Sequence, residues 1–271
     1  MSVIGLSVLL VVGVVVAAGR GDSAVALGNA TGSNLVNLGV ILGTVVLVLT
    51  VGAARDEVRR DLVAALGVLV VVAALSADGV LGRVDAVVLF AGFGVWIAAT
   101  IRSLRNRRAD GPRPLADDGG AGPRVGARTI VALGAGLALL ALGAQAVVHG
   151  AAGIGEWLGW DEFVIGVVIV AVATSTPELA TAVVAVRRGH ADLGVGAMVG
   201  SNVFNMSVVV GSAGLLAPMV VPVRSTVLAL AFAAMATVLA WPTRSERIPR
   251  WRGAALLAVY AAHLALVLVT R

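Results

Sequence analysis

The stretches "RGDSAVALGNATGSNLVNLGVILG" (20–43) and "RGHADLGVGAMVGSNVFNMSVVVG" (188–211) are one phrase written twice, 168 residues apart, with nine identities in 24 aligned positions. The shared residues are Arg, Gly, Ser, Asn and a single Val, so two greasy runs falling into register by chance do not account for them. Each copy sets Gly-Ser-Asn-x-x-Asn inside an otherwise apolar segment of helix length. Polar groups at that depth in a membrane are costly and read as functional by default. The repeat predicts two structurally related halves, each bringing the same polar segment to one place.

Composition fixes the solvent. The 271 residues are 59% hydrophobic and 13% charged, with a mean hydropathy of +1.01, well beyond what a soluble domain needs to fill its core. The 34 glycines and few aromatics suit helices whose backbones approach closely in lipid. Transmembrane strands would alternate apolar and polar residues over segments of about 10 residues; the runs here are apolar all round. With no Cys there is no disulfide framework and no thiolate metal site. The net charge of +5 does not signal nucleic acid, because most Arg residues sit in short loops between apolar runs.

Apolar runs at 2–18, 24–52, 62–81, 84–101, 128–150, 160–186, 193–217, 222–241 and 253–270 predict roughly nine transmembrane helices. The Arg-, Pro- and Gly-rich stretch 102–127 reads as a linker between an N-terminal half, 1–101, with four spans and a C-terminal half, 128–271, with five. Alternating the loops between two sides puts 16 Arg on one and 4 on the other (Arg20, Arg83, Arg224, Arg271). The positive-inside rule then makes the linker cytoplasmic and puts the C-terminus outside. The first run reads as a span and not as a cleaved signal peptide, because no Lys or Arg precedes it. On this topology the copy at 188–211 follows a helix ending inside and the copy at 20–43 one ending outside. The repeats are inverted across the membrane, as in many secondary transporters.

The chemistry concentrates in "GVVIVAVATSTPELATAVVAV" (166–186). Pro177 frees the carbonyl of Ala173 and breaks the helix near Thr174–Pro177. Thr174, Ser175 and Thr176 add hydroxyls, and Glu178 adds a carboxylate whose place near the bilayer centre costs at least ~2.5 kcal/mol. Carbonyls, hydroxyls and one carboxylate make an all-oxygen environment suited to hard cations such as Na⁺ and Ca²⁺; the plainer reading is a Pro kink with Glu178 bonded to a neighbouring helix. Ser201 with Asn205, and Ser33 with Asn37, are four apart and share a helix face. Gly28-x-x-x-Gly32 and Gly196-x-x-x-Gly200 allow close helix contact.

"ATSTPE" (173–178) followed by "GAMVGSNVFN" (196–205), with "GNATGSNLVN" (28–37) in the other half, resembles the calcium/cation antiporter superfamily, most closely the prokaryotic sodium/calcium exchangers. The resemblance is specific over 150–218 and weaker elsewhere. It implies two five-helix repeats around a central ion site, with Na⁺ entry exchanged for Ca²⁺ extrusion at the plasma membrane of a prokaryote. It implies cation ligands at Thr174, Ser175, Glu178, Ser201 and Asn205, and at Ser33 and Asn37 from the first repeat. Inorganic cations and lipid are the expected partners, with no nucleic acid and no resident cofactor. With no Lys there is no phosphate-binding P-loop and no ATP-driven step.

The chain departs from that pattern at its start. At the same offset "ATSTPE" aligns with "GLSVLL" (5–10): Ser7 matches Ser175, but Leu6, Leu9 and Leu10 stand where Thr, Pro and Glu are expected, and the family's first helix is missing. A misplaced start codon accounts for the helix but not for Leu10. The missing carboxylate is either divergence or corruption of the extreme N-terminus. One carboxylate under-compensates a divalent ion, which leaves two alternatives: a monovalent cation/proton exchanger using Glu178 alone, and a non-transporting membrane subunit. His149, Gln145 and His263 are expected at span ends. Asp78, Asp85, Glu156, Asp161 and Glu162 form an acidic outer rim that is either merely solvated or a cation funnel.

Overall fold

The computed structural model describes residues 23–49, 51–52, 56–110, 160–187, 191–243 and 247–270, with scattered positions between 131 and 159. The expected span at 2–18, with Leu6, Ser7, Leu9 and Leu10, lies outside the described residues, as does most of 128–150. Among the described residues six helices are long and apolar enough to cross a membrane: Ala24–Val48, Val58–Asp78, Arg83–Ser103, Glu162–Arg187, Gly194–Leu216 and Arg250–Val269. A shorter apolar helix, Val223–Leu239, accompanies them. These seven coincide with the seven runs expected between 24 and 101 and between 160 and 270, their edges shifted by a few residues. The chain is a multi-pass, all-α membrane protein.

Three spans are not plain α-helices. Helix α1 (Ser23–Leu35) passes through a π-helical stretch, Val36–Leu42, into α2 (Gly43–Val48). After α3 (Asp56–Leu75) and α4 (Arg83–Asp110), α5 (Glu162–Ile165) leads through the π-helical Gly166–Val170 into α6 (Ala171–Thr174) and α7 (Thr176–Arg187). Helix α8 (Ala191–Phe204) passes through the π-helical Asn205–Val209 into α9 (Val210–Leu216), followed by α10 (Val223–Leu239) and α11 (Arg250–Thr270). The expected break at Thr174–Pro177 is one residue wide. Ser175 alone separates α6 from α7, at φ −87° and ψ −1°, and its N–H still reaches the Ala171 carbonyl at 3.1 Å. The helix is jogged there and not severed.

Helix α4 runs to Asp110, past the expected boundary at 101. "IRSLRNRRAD" contains good helix formers, and the first breakers are Gly111 and Pro112.

Close packing follows the glycines. A Cβ on Gly28 would lie 2.4 Å from the Phe163 carbonyl oxygen, and one on Gly32 2.7 Å from both the Val167 carbonyl oxygen and the Ala171 Cβ. From the facing side, a Cβ on Gly166 would meet the Val25 carbonyl at 2.5 Å. The α1 backbone thus lies directly on the segment that leads to Glu178. In the second copy Gly200 faces the Trp96 ring, and Gly196 meets nothing within 4 Å among the described residues. The spans Ala24–Val48 and Gly194–Leu216, which carry the two copies of the phrase, are the most buried of the six, at 72% and 67%, against 11% for Arg83–Ser103.

Contacts recur at the 168-residue offset. Gly43 packs on Gly253, and its counterpart Gly211 packs on Phe90 and the Ala86 carbonyl. Short strands that the sequence reading did not expect behave likewise. β1 (Val51–Gly52) pairs with β4 (Arg247–Ile248), and β2 (Val80–Leu81) pairs with β3 (Met219–Val220), all antiparallel. Adding 168 to β1 gives β3, and adding it to β2 gives β4 within one residue, so the two ladders exchange roles.

A candidate cation site of buried oxygens

Asn29, Ser33, Asn34, Asn37, Ser175, Ser201, Asn202 and Asn205 are all buried. Two of the π-helical stretches begin at or next to the second Asn of the repeated phrase, at Val36 and at Asn205. The wider π turn re-aims these side chains relative to a plain i, i+4 face.

Four asparagines from the two copies form a crossed brace. Asn34 Nδ2 donates to the Asn202 carbonyl and Asn202 Nδ2 to the Asn34 carbonyl, both at 3.3 Å. Asn37 Nδ2 donates to Asn202 Oδ1 at 2.9 Å, and Asn205 Nδ2 to Asn34 Oδ1 at 3.2 Å. Every amide nitrogen is used across the pair of copies, and the four bonds map onto each other at the 168 offset. With one N–H of each amide held in this way, two side-chain oxygens are left over: Asn37 Oδ1 and Asn205 Oδ1 are buried and have no partner.

On the first-copy side, Thr174 Oγ1 donates to Asn29 Oδ1 at 2.9 Å, Ser33 Oγ donates to the same oxygen at 3.2 Å, and the two hydroxyls lie 3.2 Å apart. On the second-copy side, Ser201 Oγ donates to Glu178 Oε1 at 3.1 Å. Glu178 Oε2 and Ser175 Oγ are buried without a partner.

Buried oxygens left unpaired cost about 1–3 kcal/mol each. Four of them among the described residues, Asn37 Oδ1, Ser175 Oγ, Glu178 Oε2 and Asn205 Oδ1, belong to the residue set nominated from sequence. Among the described residues no three His, Asp or Glu gather as a metal-binding group, so Glu178 brings one charge to a set of neutral oxygens. That donor set fits a hard cation and offers nothing to a soft one. A cation bound at Glu178 would require the Ser201 hydroxyl to turn its proton away and present a lone pair.

Sequence reasoning missed Asn29, Asn34 and Asn202. For Asn34 and Asn202 the available signal was the first Asn of Gly-Ser-Asn-x-x-Asn, present in both copies; Asn29 has Ala197 as its counterpart and gave no such signal. His263, expected at an interface, is buried because its face of α11 turns toward α10, against Phe232 at 5.2 Å between ring centres. Of the expected acidic rim, Asp78, Asp85 and Asp161 each accept a backbone N–H, from Val80, Gly82 and Val164 respectively.

Membrane-spanning helices with buried, unpartnered oxygens and a buried carboxylate are what a membrane protein that handles cations needs. The sodium/calcium exchanger protein family matches residues 4–102 and 128–269, and the chain belongs to that family. Inner membrane protein YrbG of Escherichia coli (strain K12) is 34% identical over 196 residues, 71% of this chain; the chain spans 60% of the length of that curated relative. The fold is similar to the sodium-calcium exchanger NCX_Mj soaked with zero Na⁺ and Ca²⁺, with a TM-score of 0.71 and 22% identity, covering 98% of this chain and 84% of that one. It is also similar to the H⁺/Ca²⁺ exchanger CAX, with a TM-score of 0.70 and 18% identity, covering 96% and 75%.

Proposed function

We propose that the protein is a secondary active antiporter that exchanges Na⁺ for Ca²⁺ across the plasma membrane, with Thr174, Ser175, Glu178, Ser201, Asn205, Ser33 and Asn37 as cation ligands. The observation that carries this reading is the set of unpartnered buried oxygens, drawn from both copies of the phrase, around one carboxylate. The halves, 1–101 and 128–271, are inverted repeats joined by a cytoplasmic linker at 102–127, with the C-terminus outside. Transport proceeds by alternating access as the halves move against one another. The reciprocal asparagine brace and the exchanged strand ladders support this symmetry; the Arg asymmetry supports the orientation.

A second reading has its own support. Glu178 is the one carboxylate in this set, and a single negative charge balances a monovalent ion better than a divalent one in a low-dielectric interior. On that reading Glu178 alone serves Na⁺ and H⁺ in turn. Flux into proteoliposomes, with Ca²⁺, Na⁺ and H⁺ gradients imposed one at a time, separates the two. Na⁺-driven Ca²⁺ movement supports the first, Na⁺-driven H⁺ movement without Ca²⁺ supports the second, and no movement of any cation refutes both.

A further inference from the structure

Asp61 takes no part in the oxygen cluster, yet it is only 9% exposed, in the second turn of α3. Its Oδ1 accepts from Arg60 Nε and Nη2 at 3.1 and 2.9 Å, and from the Trp96 indole N–H on α4 at 3.0 Å. The guanidinium answers the carboxylate's charge. The carboxylate in turn gives the indole N–H of a half-buried Trp a strong, charged acceptor.

The indole lies against α8. Its Cη2 and Cζ2 atoms are 3.6 and 3.8 Å from where a Cβ on Gly200 would stand, so the ring flanks the helix at the residue before Ser201. Phe93 packs on Trp96 with ring centres 5.5 Å apart and meets Phe204 edge to face at 5.7 Å. Gly200 and Phe204 are four apart and share one face of α8. Ser201 and Asn205 each follow by one residue, about 100° round the helix. An aromatic wall thus stands beside the residue pair that presents a hydroxyl to Glu178 Oε1 at 3.1 Å and an unpartnered Asn205 Oδ1. At the 168-residue offset, Asp61, Phe93, Trp96 and Phe204 correspond to Ala229, Ala261, Leu264 and Val36, none of them acidic or aromatic. The wall belongs to the copy whose serine meets Glu178.

We propose that Asp61 and Trp96 are positioning residues for the cation site, a role that rests on the reading of Ser201 and Asn205 as cation ligands. Asp61 fixes the tilt of the indole through its N–H. The indole and Phe93 then set how far α8 stands from α4, and with it the reach of Ser201 and Asn205 into the site. A rigid ring with two torsions passes on that restraint with little slack. Without the bond the indole turns freely and the α8 oxygens lose a fixed support, where a looseness of about 1 Å already weakens a site.

The full-length variants Asp61→Ala, Asp61→Asn, Trp96→Phe and the double variant Asp61→Ala/Trp96→Phe separate this role from plain packing. In calorimetric titrations with Ca²⁺ and with Na⁺, affinity should fall about tenfold in Asp61→Ala and in Trp96→Phe, the lower end of what losing an orienting partner costs a metal site. The double variant should be no weaker than the worse single one, because both changes break the same bond. Asp61→Asn keeps an oxygen for the indole N–H and should recover most of the affinity. A lowered unfolding temperature with unchanged affinity would make the pair mere packing and overturn the proposal. An Asp61→Asn protein as weak as Asp61→Ala would also overturn it, since the charge and not the bond would then be at work. Trp96→Phe decides the matter if Asp61→Ala does not fold. Amide hydrogen exchange of the ion-free proteins forms a separate arm: residues 200–209 should exchange faster in Asp61→Ala and Trp96→Phe than in wild type, while 253–266 on α11 stay unchanged. If wild type binds neither ion, or Glu178→Gln binds as tightly as wild type, the ligand reading fails. The exchange arm still decides whether the pair fixes this segment, and unaltered exchange at 200–209 overturns the positioning role.

Discussion

At the scale of single residues, Glu178 carries the charge of the oxygen cluster. Glu178→Gln keeps the shape and the Ser201 contact and removes only the charge. Coupled cation flux should be lost while the protein elutes as the same folded species in size-exclusion chromatography; normal flux would place the ion site elsewhere. Leu10, outside the described residues, is the counterpart of Glu178 at the 168 offset, so Leu10→Glu should supply a second charge and strengthen Ca²⁺ binding relative to Na⁺, read by competition titration. Unchanged Ca²⁺ affinity in a folded Leu10→Glu protein would mean that the opening residues do not face the site. Residue type and repetition made Ser33, Asn37, Ser201 and Asn205 legible in the sequence. The roles of Asn34 and Asn202 were not legible, because each exists only through a contact with the other copy, and a periodicity argument works within one helix.

At the scale of elements, α1 depends on bare backbone. Gly28→Ala drives a methyl group to 2.4 Å from the Phe163 carbonyl oxygen, where backbone atoms cannot swing aside as a side-chain tip can. The expected cost is about 1–3 kcal/mol, seen as a lower unfolding temperature in detergent, with weakened cation binding because Thr174 moves relative to Asn29. Gly67→Ala is the matched control: nothing lies within 4 Å of that Cβ, and the substitution should leave stability unchanged or slightly raised. If both variants behave alike, backbone contact at Gly28 is not what holds α1 against α5 and α6. The G-x-x-x-G spacing announced this contact in the first copy. Neither the π-helical stretches nor the two-residue ladders could be read from sequence, since each depends on what the neighbouring span presents and not on local propensity.

At the scale of the whole molecule, the spans were the most legible feature, because lipid imposes a length and an apolarity that composition alone reveals. The handover from the span was less so, since α4 keeps turning as far as Asp110, the last described residue before the Gly111-Pro112 pair. Orientation is open to a direct test. A reporter inserted between 111 and 127 should be labelled only from the cytoplasmic side and one after Arg271 only from outside; labelling of both from the same side would break the odd span count on which the proposed inversion of the repeats rests. The asparagine brace has a mechanical meaning at this scale. The Oδ1 atoms of Asn37 and Asn205 are left over because their amide nitrogens are held by the opposite copy, so neither copy controls the direction of its own oxygen. Sliding the copies past each other releases those nitrogens and lets the amides rotate. If the proposed alternating movement slides the copies in this way, the site loosens its hold on an ion as a direct result of it, and grip and displacement become one geometric variable.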